Sequence, residues 1–149
     1  MSAPVIDHVE LFVPDRRQAA EWYLSVLGLK VVPEYEQWAD DPQGPLMISS
    51  DGGNTKLALF QGVSQGAQET AGFHLVAFRV GAVDFGRFLE RLPGLNLIDH
   101  RGQPVTADSV TDHSSAYSLY FNDPFGHRLE LTTYEYTQVK VVLERRSTV

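Results

Sequence analysis

The sequence predicts an α+β fold made of two βαβββ modules that together form a cupped, mostly antiparallel mixed sheet. Three observations predict it. Two runs, IDHVELFV and FHLVAFRV, alternate apolar and polar residues with the period of two that marks a strand packed on one face. Each is followed by an amphipathic helical stretch and then by three more strand-like runs. The turn chemistry also matches: Gly28-Leu29 and Gly94-Leu95 close the two helices, and SDGGNTKLAL and NDPFGHRLEL both turn the last hairpin through Asp and Gly.

The elements follow in order. Val9, Leu11 and Val13 define the buried face of the first strand. Asp15 caps the next helix with Gln18 three residues on, and Ala19, Ala20, Tyr23, Leu24 and Leu27 make its apolar stripe. LKVVPEYEQW, PLMISS and TKLALFQG read as strands separated by the turn formers DDPQG and DGGN. In the second half, FHLVAFRV is the first strand and Phe85, Phe88, Leu89 and Leu92 stand at helical spacing. NLIDHRG, YSLYFN and HRLELTTY complete the module. The boundaries are 5–62 for module one, 72–136 for module two and 137–149 for a tail, within a single domain of residues 1–149. The alternation of Val139, Val141 and Leu143 in the tail fits either an added strand or a dimer arm.

A chain of 149 residues, 43% hydrophobic and 21% charged, is ordinary for one globular domain. A formal charge of -7 without Lys/Arg clusters argues against nucleic acid or an anionic membrane as partner and leaves a small-molecule substrate. The absence of cysteine excludes disulfides, thiolate metal sites and a Cys nucleophile. With no signal-like start and no spanning run, a cytoplasmic location is expected.

One helix covers one face of each four-stranded sheet, so the other face is open to a ligand. Strand parity puts His8, Glu10 and Phe12 of the first strand, and Arg128, Glu130 and Thr132 of the last, on that open face. A carboxylate between leucines in mid-strand calls for a partner, a metal or water. Two imidazoles and one carboxylate form the facial triad that suits Fe(II), Mn(II) and similar ions. His8 and Glu130 fit two of its corners.

IDHVELFVPDRRQAAEWYLSVLGL followed by YFNDPFGHRLEL resembles the vicinal oxygen chelate superfamily of glyoxalase I, extradiol dioxygenases, fosfomycin-resistance transferases and bleomycin-resistance proteins. The resemblance spans nearly the whole chain apart from the tail after Tyr136. It implies the glyoxalase/dioxygenase-like fold and a divalent metal held by His8, a residue near His74, and Glu130. Fe(II) or Mn(II) is favoured, with Zn or Ni as alternatives. A fourth ligand of the glyoxalase I kind would fall at Ala58, which cannot ligate. The resemblance also implies a homodimer.

His74 is one residue early. Five residues before Val13 is His8, but five before Val80 is Leu75, and a one-residue slip turns a strand side chain to the other face. A β-bulge would turn His74 back into the cup. Otherwise His74 packs structurally and the metal site is incomplete, or the repeat alignment is off by one.

In TDHSSAYSLYFNDP, Asp112, His113 and Tyr120 resemble the residues preceding the metal-binding Glu in catechol dioxygenase-like members, with Ser114 replacing a glycine. The resemblance assigns His113 to proton transfer and Tyr120 to orienting substrate oxygen. His100 and His127 read as exposed turn residues. Phe12, Trp38, Phe60, Arg128 and Tyr134 are the expected substrate contacts. The function expected is a metal-dependent extradiol-type dioxygenase for a small aromatic or vicinally oxygenated substrate. A metal-free, bleomycin-resistance-like binder and a lyase or isomerase of the same superfamily are the alternatives.

Overall fold

Alternation carries through to the first strand, β1 (His8–Val13): Leu11 and Val13 are buried, whereas His8 and Glu10 are exposed. The computed structural model describes residues 3–64 and 66–147, and the chain divides into two units, Met1–Ala71 and Gly72–Val149.

In the first unit, Asp15 Oδ1 accepts the Gln18 amide at 2.9 Å to start α1 (Arg16–Leu27), and Gly28 ends it at φ 75°. Ala19, Ala20, Tyr23 and Val26 are the buried stripe. Leu24, expected in that stripe, is half exposed. Each helical residue advances about 100°, so the residue after Tyr23 leaves a face centred on Tyr23, while Val26 three residues on returns to it. β2 (Lys30–Val31), β3 (Leu46–Ser49) and β4 (Lys56–Gln61) complete the sheet. Only two residues of LKVVPEYEQW are strand, because Pro33 opens a 3-10 turn over Pro33–Asp40. Its fixed φ and missing N–H end the ladder there.

The second unit holds β5 (Val76–Arg79), α2 (Ala82–Leu95), β6 (Thr111–Asp112), β7 (Tyr117–Asn122), β8 (Arg128–Thr133) and α3 (Tyr136–Ser147). Phe85, Phe88, Leu89 and Leu92 are buried as expected. Three features differ. NLIDHRG is a loop with one isolated bridge, Ile98 to Pro104, and the short β6 takes the place of that strand. Asp99 Oδ1 accepts the Arg101 and Gln103 amides, so a local turn captures donors that a strand would have offered to a neighbour. The helix passes Gly94 and stops at Asn96 in the left-handed conformation, φ 52°, which Asn tolerates better than most residues. The tail is neither strand nor extended arm but α3. Val139 on it is buried, and a side chain on Gly86 of α2 would meet Val142.

Both sheets have the same topology: β1-β4-β3-β2 and β5-β8-β7-β6, with the outer first strand parallel to the last and the other pairs antiparallel. Even the hairpin clasps repeat. Asp51 Oδ1 accepts the Thr55 amide at 2.9 Å and Asp123 Oδ1 accepts the His127 amide at 2.8 Å.

Register fixes the correspondence of the modules. Glu10 pairs with Ala58, and Ala77 pairs with Glu130. Matching Ala58 to Glu130 therefore matches Glu10 to Ala77, His8 to Leu75 and Asp7 to His74. The off-by-one alternative is excluded.

Candidate functional site

Glu130 sits in the centre of β8 with Tyr120 opposite on β7 and Ala77 opposite on β5. Cross-strand partners share a face, so Ser118, Tyr120, Arg128, Glu130 and Thr132 line the side of the sheet away from α2, whose core includes Leu119, Phe121, Leu129 and Leu131. Ser118 Oγ lies 2.6 Å from Glu130 Oε1 and 3.0 Å from Thr132 Oγ1. A hydroxyl has one proton, and the shorter contact to a carboxylate takes it. One Glu130 oxygen is thereby held and the other stays available to a ligand.

His113 Nε2 and Tyr120 OH are 3.0 Å apart, and their rings meet edge to face. The loop carrying His113 is anchored. The His113 amide donates to the Ala116 carbonyl, and Asp112 Oδ1 accepts the Ser114 amide at 2.7 Å. Ser114 stands at φ 69°, the conformation for which a glycine is the usual choice. Asp112 Oδ2 accepts the Tyr136 hydroxyl at 2.9 Å, and the Tyr136 ring stacks on Tyr117 at 4.6 Å. The Ser114 amide first, then the Tyr136 hydroxyl, hold the Asp112 carboxyl below its usual range; Tyr117 and Asp112 push the Tyr136 phenol up.

His74 is not on the strand. It lies in a bend before β5, free of ladder parity, with no bulge, and its Nε2 accepts a hydrogen bond from Arg128 Nη1 at 2.9 Å. Arg128 in turn lies over the Tyr120 ring, 5.7 Å from its centroid. An imidazole nitrogen that accepts from a guanidinium has no lone pair left for a metal. Of the expected set of His8, His74 and Glu130, His74 has its Nε2 engaged by Arg128. Among the described residues no three His, Asp or Glu side chains are grouped so as to hold a metal ion.

The first unit presents a different open face. His8 Nδ1 is 2.8 Å from Asp7 Oδ2, and its Nε2 is 3.6 Å from Glu10 Oε1. Hydrogen bonds from His8 and then Lys56 hold the Asp7 carboxyl below its usual range. A carboxylate at Nδ1 is the arrangement that orients a ligating histidine, with Nε2, beside Glu10, as the nitrogen for an ion. His8 and Glu130 therefore suit a divalent ion chemically. Phe12 and Phe60 contact each other at 6.2 Å, and Phe60 and Tyr35 pack on Val32, Met47 and Ala58. Trp38 stacks on Tyr35 at 4.6 Å and is 45% exposed. Arg16 clamps that segment by donating to the carbonyls of Ala39, Asp41 and Gly44. Tyr134 is exposed and borders, with Arg79 and Glu135, an open cleft of about 370 Å³.

Sequence reading missed Asp7, Ser118 and Tyr136. Ser118, Tyr120 and Asn122 do recur at period two among the apolar residues of YSLYFN, a signal that marks the polar face. Nothing comparable links Tyr136 to Asp112.

Residues 5–131 match the profile of the Glyoxalase/Bleomycin resistance protein/Dioxygenase superfamily. No curated protein matches the chain. Similar solved structures include Oxidase ChaP-H2, 24% identical over 89% of this chain and 94% of its own, TM-score 0.63. A glyoxalase/dioxygenase from Nostoc punctiforme is 19% identical over 90% and 96%, TM-score 0.63. The fosfomycin resistance protein FosX from Listeria monocytogenes is 15% identical over 93% and 99%, TM-score 0.62.

Proposed function

We propose, from the premise that this chain belongs to the Glyoxalase/Bleomycin resistance protein/Dioxygenase superfamily, that it is a divalent-metal-dependent enzyme acting on a small aromatic or vicinally oxygenated substrate by extradiol-type oxygenation. The observation that carries this reading is the hydrogen-bonded His113–Tyr120 pair beside Glu130 on the open face of the second sheet.

His8 and Glu130 are the residues assigned to the ion, preferably Fe(II) or Mn(II), because imidazole and carboxylate suit such ions. When bound, the metal supplies Lewis acidity that lowers the pKa of a coordinated hydroxyl. Ser118 keeps Glu130 oriented, and Asp7 orients the His8 ring through Nδ1. Tyr120 orients a substrate oxygen through its hydroxyl, and His113 Nε2 exchanges a proton with that hydroxyl, or through it with the substrate. Phe12 and Phe60 offer apolar contact to a ring. The superfamily reading also carries the expectation of a homodimer, which size-exclusion chromatography with light scattering checks. Among the described residues no helix is long and apolar enough to cross a membrane.

The decisive experiment is metal analysis of protein purified without chelator, followed by oxygen uptake with a catechol panel. About one Fe or Mn per chain, lost in His8→Ala and Glu130→Ala, supports the enzyme. One observation favours a second reading, a metal-free binder: Arg128 engages His74 through Nε2. Tight aromatic binding by protein that neither retains nor takes up metal would select that reading.

A further inference from the structure

The internal repeat provides a control for one cation. Arg128 opens β8 where Lys56 opens β4, and His74 occupies the position of Asp7. In the first unit the Lys56 ammonium meets the Asp7 carboxylate at 3.0 Å and the Gly53 carbonyl at 2.7 Å, with its side chain 7% exposed. Charge answers charge. In the second unit the equivalent place offers an imidazole, and because a guanidinium can only donate, the His74 Nε2 must be the unprotonated nitrogen. His74 orients Arg128 without neutralising it.

No ion pair joins Arg128 to a carboxylate among the described residues, and its Nε is buried without a partner. The neighbouring Asn122, its partner in register, also has a buried and unpaired Oδ1. A partly buried guanidinium without an ion-paired carboxylate carries a desolvation cost that one neutral hydrogen bond and one aromatic face offset only in part. The planar fork, braced by His74 and the Tyr120 face, matches a carboxylate.

We propose that Arg128 recognises a carboxylate on the substrate, so that the substrate class is a carboxylated aromatic or vicinally oxygenated molecule, with His74 as the positioning residue. This rests on the reading that the Glu130 face takes the substrate. A lone guanidinium beside Glu130 fits a monoanion better than a dianionic phosphonate, which would call for more cations.

The test is calorimetric titration of the full chain, metal-free and metal-loaded, with 3,4-dihydroxybenzoate and with catechol. The carboxylated probe binds about tenfold more tightly to the wild type, a difference of about 1.4 kcal/mol. Arg128→Gln removes most of that ratio and Arg128→Lys restores part of it, with circular dichroism confirming the fold of each. His74→Gln, whose amide oxygen still accepts from Arg128, keeps the ratio, whereas His74→Leu lowers it, and neither changes metal content. Equal affinity for the two probes, binding of neither, an unchanged ratio in Arg128→Gln, or loss of metal in His74→Leu overturns the proposal. A carboxylate preference that persists in protein unable to bind metal supports the Arg128 assignment and refutes the metal-dependent reading instead.

Discussion

The two modules share topology and hairpin clasps but have traded chemistry across their open faces. At the central level the first sheet reads Glu10, Ala58, Met47 across β1, β4 and β3, and the second reads Ala77, Glu130, Tyr120 across β5, β8 and β7. In module one the carboxylate is on the edge strand, exposed, and the middle is apolar. In module two it is in the middle, flanked by hydroxyls. One backbone thus supports an aromatic shelf in one copy and a polar, hydrogen-bonded face in the other. Side-chain identity, rather than backbone shape, sets the character of each open face.

Exchanging the central residues breaks this contrast most severely. Ala58 is 1% exposed among Val32, Met47, Tyr35 and Phe60. Ala58→Glu gives the first sheet the carboxylate of the second without its hydroxyl partners. It should destabilise the fold by about 3 kcal/mol or more in urea titration, since a buried charge lacks compensation there. Next comes Tyr120→Phe, which removes the oxygen that His113 meets while keeping the ring under Arg128. Turnover should fall about 100-fold, or about 2.7 kcal/mol, with the urea midpoint nearly unchanged. Turnover within a few-fold of the wild type would remove Tyr120 from the mechanism.

The helix starts sharpen the comparison further. Asp15 caps α1 locally, but Gly81 has no capping side chain and Glu135, arriving from beyond β8, accepts the Ala82 amide at 2.6 Å. Asp15→Ala and Glu135→Ala should each cost about 1 kcal/mol by denaturant titration. The smallest effect concerns the β3–β4 turn. Hydrogen bonds from the Thr55 amide, then the Ser49 and Thr55 hydroxyls, lower the Asp51 carboxyl to about 2. A depressed folded-state value means that this contribution is present above the ordinary carboxylate range near 4 and is lost as pH falls through about 2. The Thr55 amide resonance should therefore titrate with a midpoint near pH 2. A midpoint near 4 would show that the clasp is open in solution.

The parts of the fold legible in the sequence were those with strong periodicity or explicit punctuation. β1, both helical stripes, β7, β8 and the Asp-Gly turns follow from alternation, helical spacing and capping chemistry. The misread elements were short or ambivalent. Pro33 ended a strand that hydrophobicity alone had extended, and the Asp99 turn captured NLIDHRG. The tail alternates Val139, Val141 and Leu143 like a strand, but Val139 and Val142 answer to helical spacing. In the site, parity placed Glu130 and His8 on the open faces because they lie within ladders. His74 escaped because it precedes its strand, where side-chain direction is set by a contact with Arg128 that no local pattern encodes. His113 and Tyr120 were singled out by the resemblance to catechol dioxygenase-like sequences, but their mutual contact and the Tyr136–Asp112 bond were invisible.

That last bond gives the carboxyl end of the chain an unexpected reach. Tyr136 opens α3, yet through Asp112 it steadies the loop that presents His113. Removing the final helix from Tyr136 onward takes away that hydroxyl together with the buried Val139, so the setting of the imidazole depends on a segment distant from it in the chain.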